Sequence, residues 1–204
     1  MPAFSSRDPL SPGFWDERFE QGFTPWDRGG VPQQLRAFAD SQQRPLRTLI
    51  PGCGSAYELA YLAQAGWDAV AIDFSLAAVA AARRAVGPWH SRVVEADFFH
   101  WTSAQPLELI YERAFLCALP RAMWDRVAAR WAELLAPGAL LAGYFFLDDA
   151  PKGPPFGITQ ERLRTLMAPH FDCVEDVAVS DSVAVFAGKE RWQVWRRNGR
   201  PVAG

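Results

Sequence analysis

Three observations predict a Rossmann-like α/β fold. Four β-like runs alternate with helical patterns through the first two-thirds of the 204 residues, as in parallel βαβ units. A turn bearing two glycines, "PGCGS", joins the first run to the helix that follows. At the end of the chain the alternation stops. Two strand-like runs, "FDCVEDVAVS" and "VFAGKERWQVWRR", follow one another with only turn formers between them, which predicts an antiparallel hairpin. A simple dinucleotide-binding fold would keep alternating.

Each element has its own signal. "RTLIP" (47–51) reads as a short buried strand, and "SAYELAYLAQAG" has apolar residues at helical spacing with a stop at Gly66. "DAVAID" (68–73) returns to strand. "SLAAVAAARRAV" is an alanine-rich helix with Ser75 as its N-cap candidate, closed before Gly87-Pro88. "SRVVEA" (91–96) and "LELIYE" (107–112) are the next strands. "PRAMWDRVAARWAELLAPG" is a helix opened by proline, with Met123, Val127, Trp131 and Leu134 on one face and a Pro-Gly stop. "ALLAGYFFL" (139–147) predicts a fifth strand. "TQERLRTLMAP" predicts a last helix with Thr159 as N-cap candidate and Arg162 and Arg164 on its polar side.

Composition narrows the function classes. The length suits one domain with a full core. Half the residues are hydrophobic, so the body of the chain folds, while Met1 to Pro12, rich in proline and serine, is expected to be loose. A net charge of −2 gives no reason to expect nucleic acid as a partner and favours a small molecule. "KERWQVWRR" can be read as a single-strand-binding stripe, but its alternation reads first as a strand. Three separated cysteines, an odd count without C-x-x-C, argue against a disulfide framework or structural zinc and for a reducing, cytoplasmic setting. No apolar run approaches the length of a membrane span, and the N-terminus has no export signal pattern. The oligomeric state is not encoded legibly, and a monomer is compatible with the sequence.

In an open α/β sheet, ligands bind beyond the carboxyl ends of the strands. Gly52 and Gly54 lie in such a loop, where a missing side chain permits positive φ and lets backbone amides approach a ligand. Ala56 is tolerable if its methyl faces the protein. Asp73 ends the second strand, where a carboxylate accepts the hydroxyl protons of a ribose, in NAD or in S-adenosylmethionine, or else caps the helix at Ser75. Asp97 and Phe98, after the third strand, either receive an adenine amino group and its ring or cap a turn and fill the core. Cys53 reads as a small packing residue in the same loop. His90, His100 and His170 are scattered without metal-ligand spacing, so no metal is expected.

With these residues in place, the chain resembles the thiopurine S-methyltransferase superfamily of class I methyltransferases, which includes the halide and thiol methyltransferases. The resemblance runs from about Phe14 to Arg197 and is carried by "GFTPWDRGGVP", "PGCGSAYEL", "AIDFS", "EADFF", "FLCALP", "GPPF" and "GKERW". It implies a seven-stranded, mostly parallel sheet with helices on both faces and a reversed last strand. It also implies S-adenosylmethionine as cofactor, bound by Trp15, Trp26, Gly52, Cys53, Gly54, Asp73, Phe74, Asp97, Phe98 and Glu112. Residues 1–30 become an N-terminal arm and lid, and 31–204 the methyltransferase domain. A small residue other than glycine at Ala56, with Glu58 two places on, resembles the thiopurine branch, whereas Gly52 resembles the halide and thiol branch. Trp26 either faces the sulfonium through cation–π attraction or staples the arm to the core.

The reaction implied is methyl transfer to a small soft nucleophile: a thiol, thiopurine, thiocyanate or halide. Such an anion needs alignment and water exclusion more than a base. Arg113 and Tyr144 are the catalytic candidates. Arg113 attracts an anionic acceptor, or pairs with Glu112 or a helix carboxylate, while Tyr144, Phe146 and Phe156 line a pocket. Trp192 is a further lid candidate. Glu112 serves as base for a neutral thiol only if its pKa is raised. The alternatives are an O- or N-methyltransferase, a non-catalytic S-adenosylmethionine-binding protein, and an NAD-dependent oxidoreductase.

Overall fold

A computed structural model of the chain describes residues 4–201. Residue contacts divide it into two compact units, one running to Trp101 with Val183–Val185, the other Thr102–Ser182 with Phe186 onward. Strand order in the seven-stranded sheet is 3-2-1-4-5-7-6.

The first unit begins with two helices that the periodicity above did not single out, α1 (Pro12–Glu20) and α2 (Gln33–Ser41). Proline opens α1, where its missing N–H costs nothing. Helix α2 buries Leu35, Phe38 and Ala39, an i, i+3, i+4 stripe. Of Met1 to Pro12, expected to be loose, Met1 to Ala3 lie outside the described residues, and within the rest the backbone N–H groups of Ser5 and Ser6 both donate to Glu17 Oε2 at 3.0 Å. Next come β1 (Thr48–Pro51), α3 (Tyr57–Gln64), β2 (Ala69–Asp73), α4 (Leu76–Ala85) and β3 (Val93–Glu95). Strands β1, β2 and β3 pair in parallel. Ser75 caps α4 as expected, its Oγ accepting from the Ala78 N–H at 3.1 Å. Strand β3 is shorter than its apolar run because Gly87–Arg92 forms a 3-10 helix that takes up Ser91 and Arg92.

The second unit holds β4 (Leu107–Arg113), α5 (Trp124–Leu134), β5 (Leu135–Phe146), α6 (Gln160–Met167), β6 (Phe171–Ala178) and β7 (Glu190–Arg197). Strands β4 and β5 are parallel, β5 and β7 antiparallel, and β6 and β7 form the expected hairpin. Helix α5 buries Val127 and Trp131, but Trp124 takes the inner position in place of Met123 and Leu134, which are half-buried. The Pro-Gly pair expected as a stop lies inside β5. Between the pairs Leu107↔Leu135 and Leu109↔Leu140 the register shifts, so Pro137 and Gly138 loop out as a bulge. Thr159 caps α6 through the Arg162 N–H at 3.2 Å.

Candidate active site

In the first unit the turn after β1 is shaped by left-handed backbone. Gly52 and Gly54 have φ of +56° and +51°, and the Cys53 N–H donates to Ile72 O in β2 at 3.1 Å. Ala56 also sits at φ +53°, with its methyl 1% exposed. The methyl faces the protein, as expected, but at the cost of a conformation that glycine adopts freely.

Asp73 links this turn to the next loop. Its Oδ2 accepts the Gly54 N–H at 3.2 Å and its Oδ1 the Ser75 N–H at 3.0 Å. Burial pushes the carboxyl up to about 6, against the lowering effect of the backbone N–H groups it accepts, with Asp16 adding a small upward push. It remains mostly ionised at neutral pH. The cap of α4 is Ser75, so Asp73 is not the capping residue. A carboxylate has about four acceptor sites, so capacity for a ribose hydroxyl remains. Phe74 follows, half-buried.

Asp97 is exposed. Its Oδ1 accepts the Phe99 N–H and its Oδ2 meets His100 Nδ1, both at 2.8 Å. Phe98 is buried, its ring 5.3 Å from that of Phe99. These contacts are those of a turn and a core residue, and they leave the Asp97 side chain reachable. Burial pushes the half-buried Cys53 thiol well above its usual range, and the Asp73 and Glu58 charges push it further, so it stays protonated beside the loop.

The arm packs on the same unit. Trp26 meets Trp15 and Phe19 edge-on at 5.5 and 6.2 Å, and Trp15 Nε1 donates to Pro9 O at 2.9 Å. Phe19 stands 3.5 Å from where a Cβ on Gly54 would lie. Sequence reasoning gave no role of their own to two arm carboxylates, Asp16 and Asp27, although Asp27 lies within the "GFTPWDRGGVP" segment. Asp16 accepts from Ser75 Oγ at 2.6 Å and from the Ala77 N–H at 3.0 Å, and Asp27 accepts from Ser55 Oγ. Nothing in spacing alone marks them. Two left-handed glycines, an ionised buried carboxylate that accepts hydrogen bonds and a neutral small thiol form a set that fits an adenosyl group bearing a ribose diol.

The second unit gathers a different set. Glu112 is 1% exposed, and its Oε1 accepts the Phe115 and Leu116 N–H groups at 3.0 and 2.9 Å. Burial pushes it up to about 8; the two amides and Arg113 oppose this, and buried Glu190 on β7 adds to it. The condition for a base is thus met in pKa, though not in exposure. Gly143 explains the fit: a Cβ there would come within 1.9 Å of Glu112 O. The register aligns Arg113, Tyr144 and Trp192 across β4, β5 and β7. The Arg113 guanidinium carbon lies 4.6 Å from the Tyr144 ring centre, and Tyr144 meets Trp192 edge-on at 5.3 Å. Ala114, next in sequence, adopts φ +56°, a second left-handed alanine at the end of a strand. Phe156 is positioned from its backbone, its N–H donating to Cys117 O at 2.6 Å. The Cys117 thiol is buried and pushed well up, mainly by burial. Glu190 was visible within "GKERW", but its depth was not.

Comparison with known proteins bears on both units. The family model for thiopurine S-methyltransferase matches residues 10–198. The chain is 29% identical over 192 residues to "Thiocyanate methyltransferase 1" of Brassica oleracea, covering 91% of this chain and 85% of that protein. It is 27% identical over 195 residues to "Probable thiol methyltransferase 2" of Arabidopsis thaliana, covering 92% and 86%. With "Thiopurine S-methyltransferase" of Vibrio cholerae serotype O1 it shares 28% over 175 residues, covering 76% and 80%. Among solved structures, the 1,6-didemethyltoxoflavin-N1-methyltransferase of Burkholderia thailandensis, with S-adenosylhomocysteine bound, superposes with a TM-score of 0.74 at 18% identity, covering 97% and 93%. Magnesium protoporphyrin IX methyltransferase of Synechocystis PCC 6803 gives 0.70 at 16%, covering 96% and 100%. These two likenesses establish the fold.

Proposed function

The chain belongs to the thiopurine S-methyltransferase family and is an S-adenosylmethionine-dependent methyltransferase, and from that premise we propose how its residues divide the work. Its acceptor is a small soft nucleophile of the kind named for its relatives: a thiol, thiopurine or thiocyanate, with halide in the same chemical class. When bound, S-adenosylmethionine supplies an electrophilic methyl group on a cationic sulfur. Gly52, Cys53 and Gly54 give backbone access to the donor, and Asp73 takes its ribose hydroxyls. Phe74, Asp97 and Phe98 serve the adenine, and Glu112 shapes the end of β4. Trp15 and Trp26, in the arm, close over the cationic sulfur.

Arg113 draws the acceptor anion and Tyr144 walls its pocket. Orientation of this kind supplies roughly 7 to 11 kcal/mol in well-aligned systems. The observation that carries the reading is the Gly54 N–H to Asp73 bond, 3.2 Å, which joins the two loops a nucleoside needs. Three free cysteines, none in a disulfide, support a reducing, cytoplasmic setting. Among the described residues no helix is long and apolar enough to cross a membrane.

The test is incubation of pure protein with S-adenosylmethionine and, separately, a thiol, a thiopurine, thiocyanate and iodide. Methylated product from at least one is expected, and no product from any would contradict the assignment. A second reading, an O- or N-methyltransferase, is favoured by the Glu112 carboxyl near 8, where a base would need it. A preference for hydroxyl or amine acceptors would support it.

A further inference from the structure

We infer that Asp16 and Asp27 are positioning residues for the methyl donor: each arm carboxylate holds one cofactor loop through a serine hydroxyl. The inference rests on the cofactor role proposed above for Asp73 and the Gly52–Gly54 turn. On one route, Asp16 of α1 accepts from Ser75 Oγ at 2.6 Å and from the Ala77 N–H at 3.0 Å. Ser75 is fully buried, and its own N–H donates to Asp73 Oδ1. On the other route, Asp27 accepts the Gly29 N–H at 2.7 Å, which fixes its turn, and also the Ser55 hydroxyl. Ser55 follows Gly54, whose N–H donates to Asp73 Oδ2.

Both routes therefore end on the same carboxylate, one at each oxygen. The arm and the two loops form one hydrogen-bonded frame with Asp73 at its centre. The negative charge of Asp16 also stands at the N-terminus of α4, where it is favoured. Hydrogen bonds to ionised groups are the stronger kind, so the frame is stiff where a ribose needs a fixed acceptor. The Trp15–Trp26 contact joins the two arm segments that carry these aspartates.

The test is titration of S-adenosylhomocysteine into wild type, Asp16→Ala, Asp27→Ala, Ser55→Ala and the Asp27→Ala/Ser55→Ala double variant, with thiocyanate kinetics alongside. Each single change is expected to raise the donor-product Kd about tenfold, with the thiocyanate KM unchanged. The double variant should be no weaker than Asp27→Ala alone, because that change already removes the Asp27–Ser55 bond together with the Gly29 N–H bond. Asp16→Asn, which keeps an acceptor oxygen, should recover most of the affinity lost in Asp16→Ala. Ser55→Ala removes only a turn hydroxyl and keeps the test decisive if Asp16→Ala does not fold. An unchanged Kd in Ser55→Ala, or an equal rise in thiocyanate KM, overturns the inference. Failure of wild type to bind S-adenosylhomocysteine would instead sink the cofactor assignment beneath it.

Discussion

The two units treat their buried carboxyls in opposite ways. In the first, Asp73 is buried, but backbone amides reach both of its oxygens, and it settles near 6, ionised at neutral pH. In the second, the amides that hold Glu112 reach one oxygen, another buried carboxyl adds to the penalty, and it stays protonated to about 8. A fixed anion therefore stands where the ribose hydroxyls are proposed to be received. A neutral group stands in the unit proposed to receive the acceptor, leaving the guanidinium of Arg113 as the charge that an anion would meet. That arrangement suits a nucleophile that arrives already charged.

The contrast is broken most severely at its anionic end. Asp73→Asn should weaken S-adenosylhomocysteine binding on the order of 100-fold, the loss of two charge-assisted bonds, with acceptor KM little changed, as read by titration and steady-state kinetics. Gly143→Ala attacks the second unit alone. With Glu112 O 1.9 Å from the added methyl, the strands must shift, at about 1 to 3 kcal/mol or more. A thermal midpoint lower by roughly 5 to 10 °C, with donor affinity retained, is expected. Arg113→Met should raise KM for thiocyanate about tenfold and leave donor affinity alone, the mirror image of Asp73→Asn.

Glu112 makes the comparison visible as pH dependence. Its folded pKa lies above the unfolded value of 4.5, so the stability it permits is full below that value and is lost as pH rises toward about 8. Urea unfolding of Glu112→Gln against wild type should show the variant gaining relative stability between those pH values and no change in the difference below them. The smallest effect is expected at Ala56→Gly. Relief of a left-handed alanine, about 1 to 2 kcal/mol, is largely offset by loss of a buried methyl and by the entropy of glycine, together about 1 to 2 kcal/mol. The midpoint should barely move.

The same division separates what was legible in the sequence from what was not. The first unit's candidate site is local: a strand, a two-glycine turn, a helix and an acid at the next strand end, all set by residues close in sequence. Its elements fell where periodicity placed them. The arm did not, because Asp16 and Asp27 act on serines 59 and 28 residues away, and no short pattern encodes such a reach. In the second unit, placement depends on cross-strand register. Pro137 and Gly138 read as a helix stop, yet the chain absorbs them in a bulge so that β5 can run from Leu135. That Arg113 lies beside Tyr144 and Tyr144 beside Trp192 follows from this pairing. The depth of Glu112 follows from tertiary packing, which no residue pattern reports.

Most exposed to contradiction is the proposed arrival of the acceptor as an anion, with no base supplied by the protein. It is tested by the pH dependence of kcat/KM, at saturating S-adenosylmethionine, for a series of thiols of different acidity. The midpoint of each profile is expected to move with the acceptor's own pKa. A midpoint fixed near 8 for every thiol, and lost in Glu112→Gln, would contradict it and make Glu112 the base.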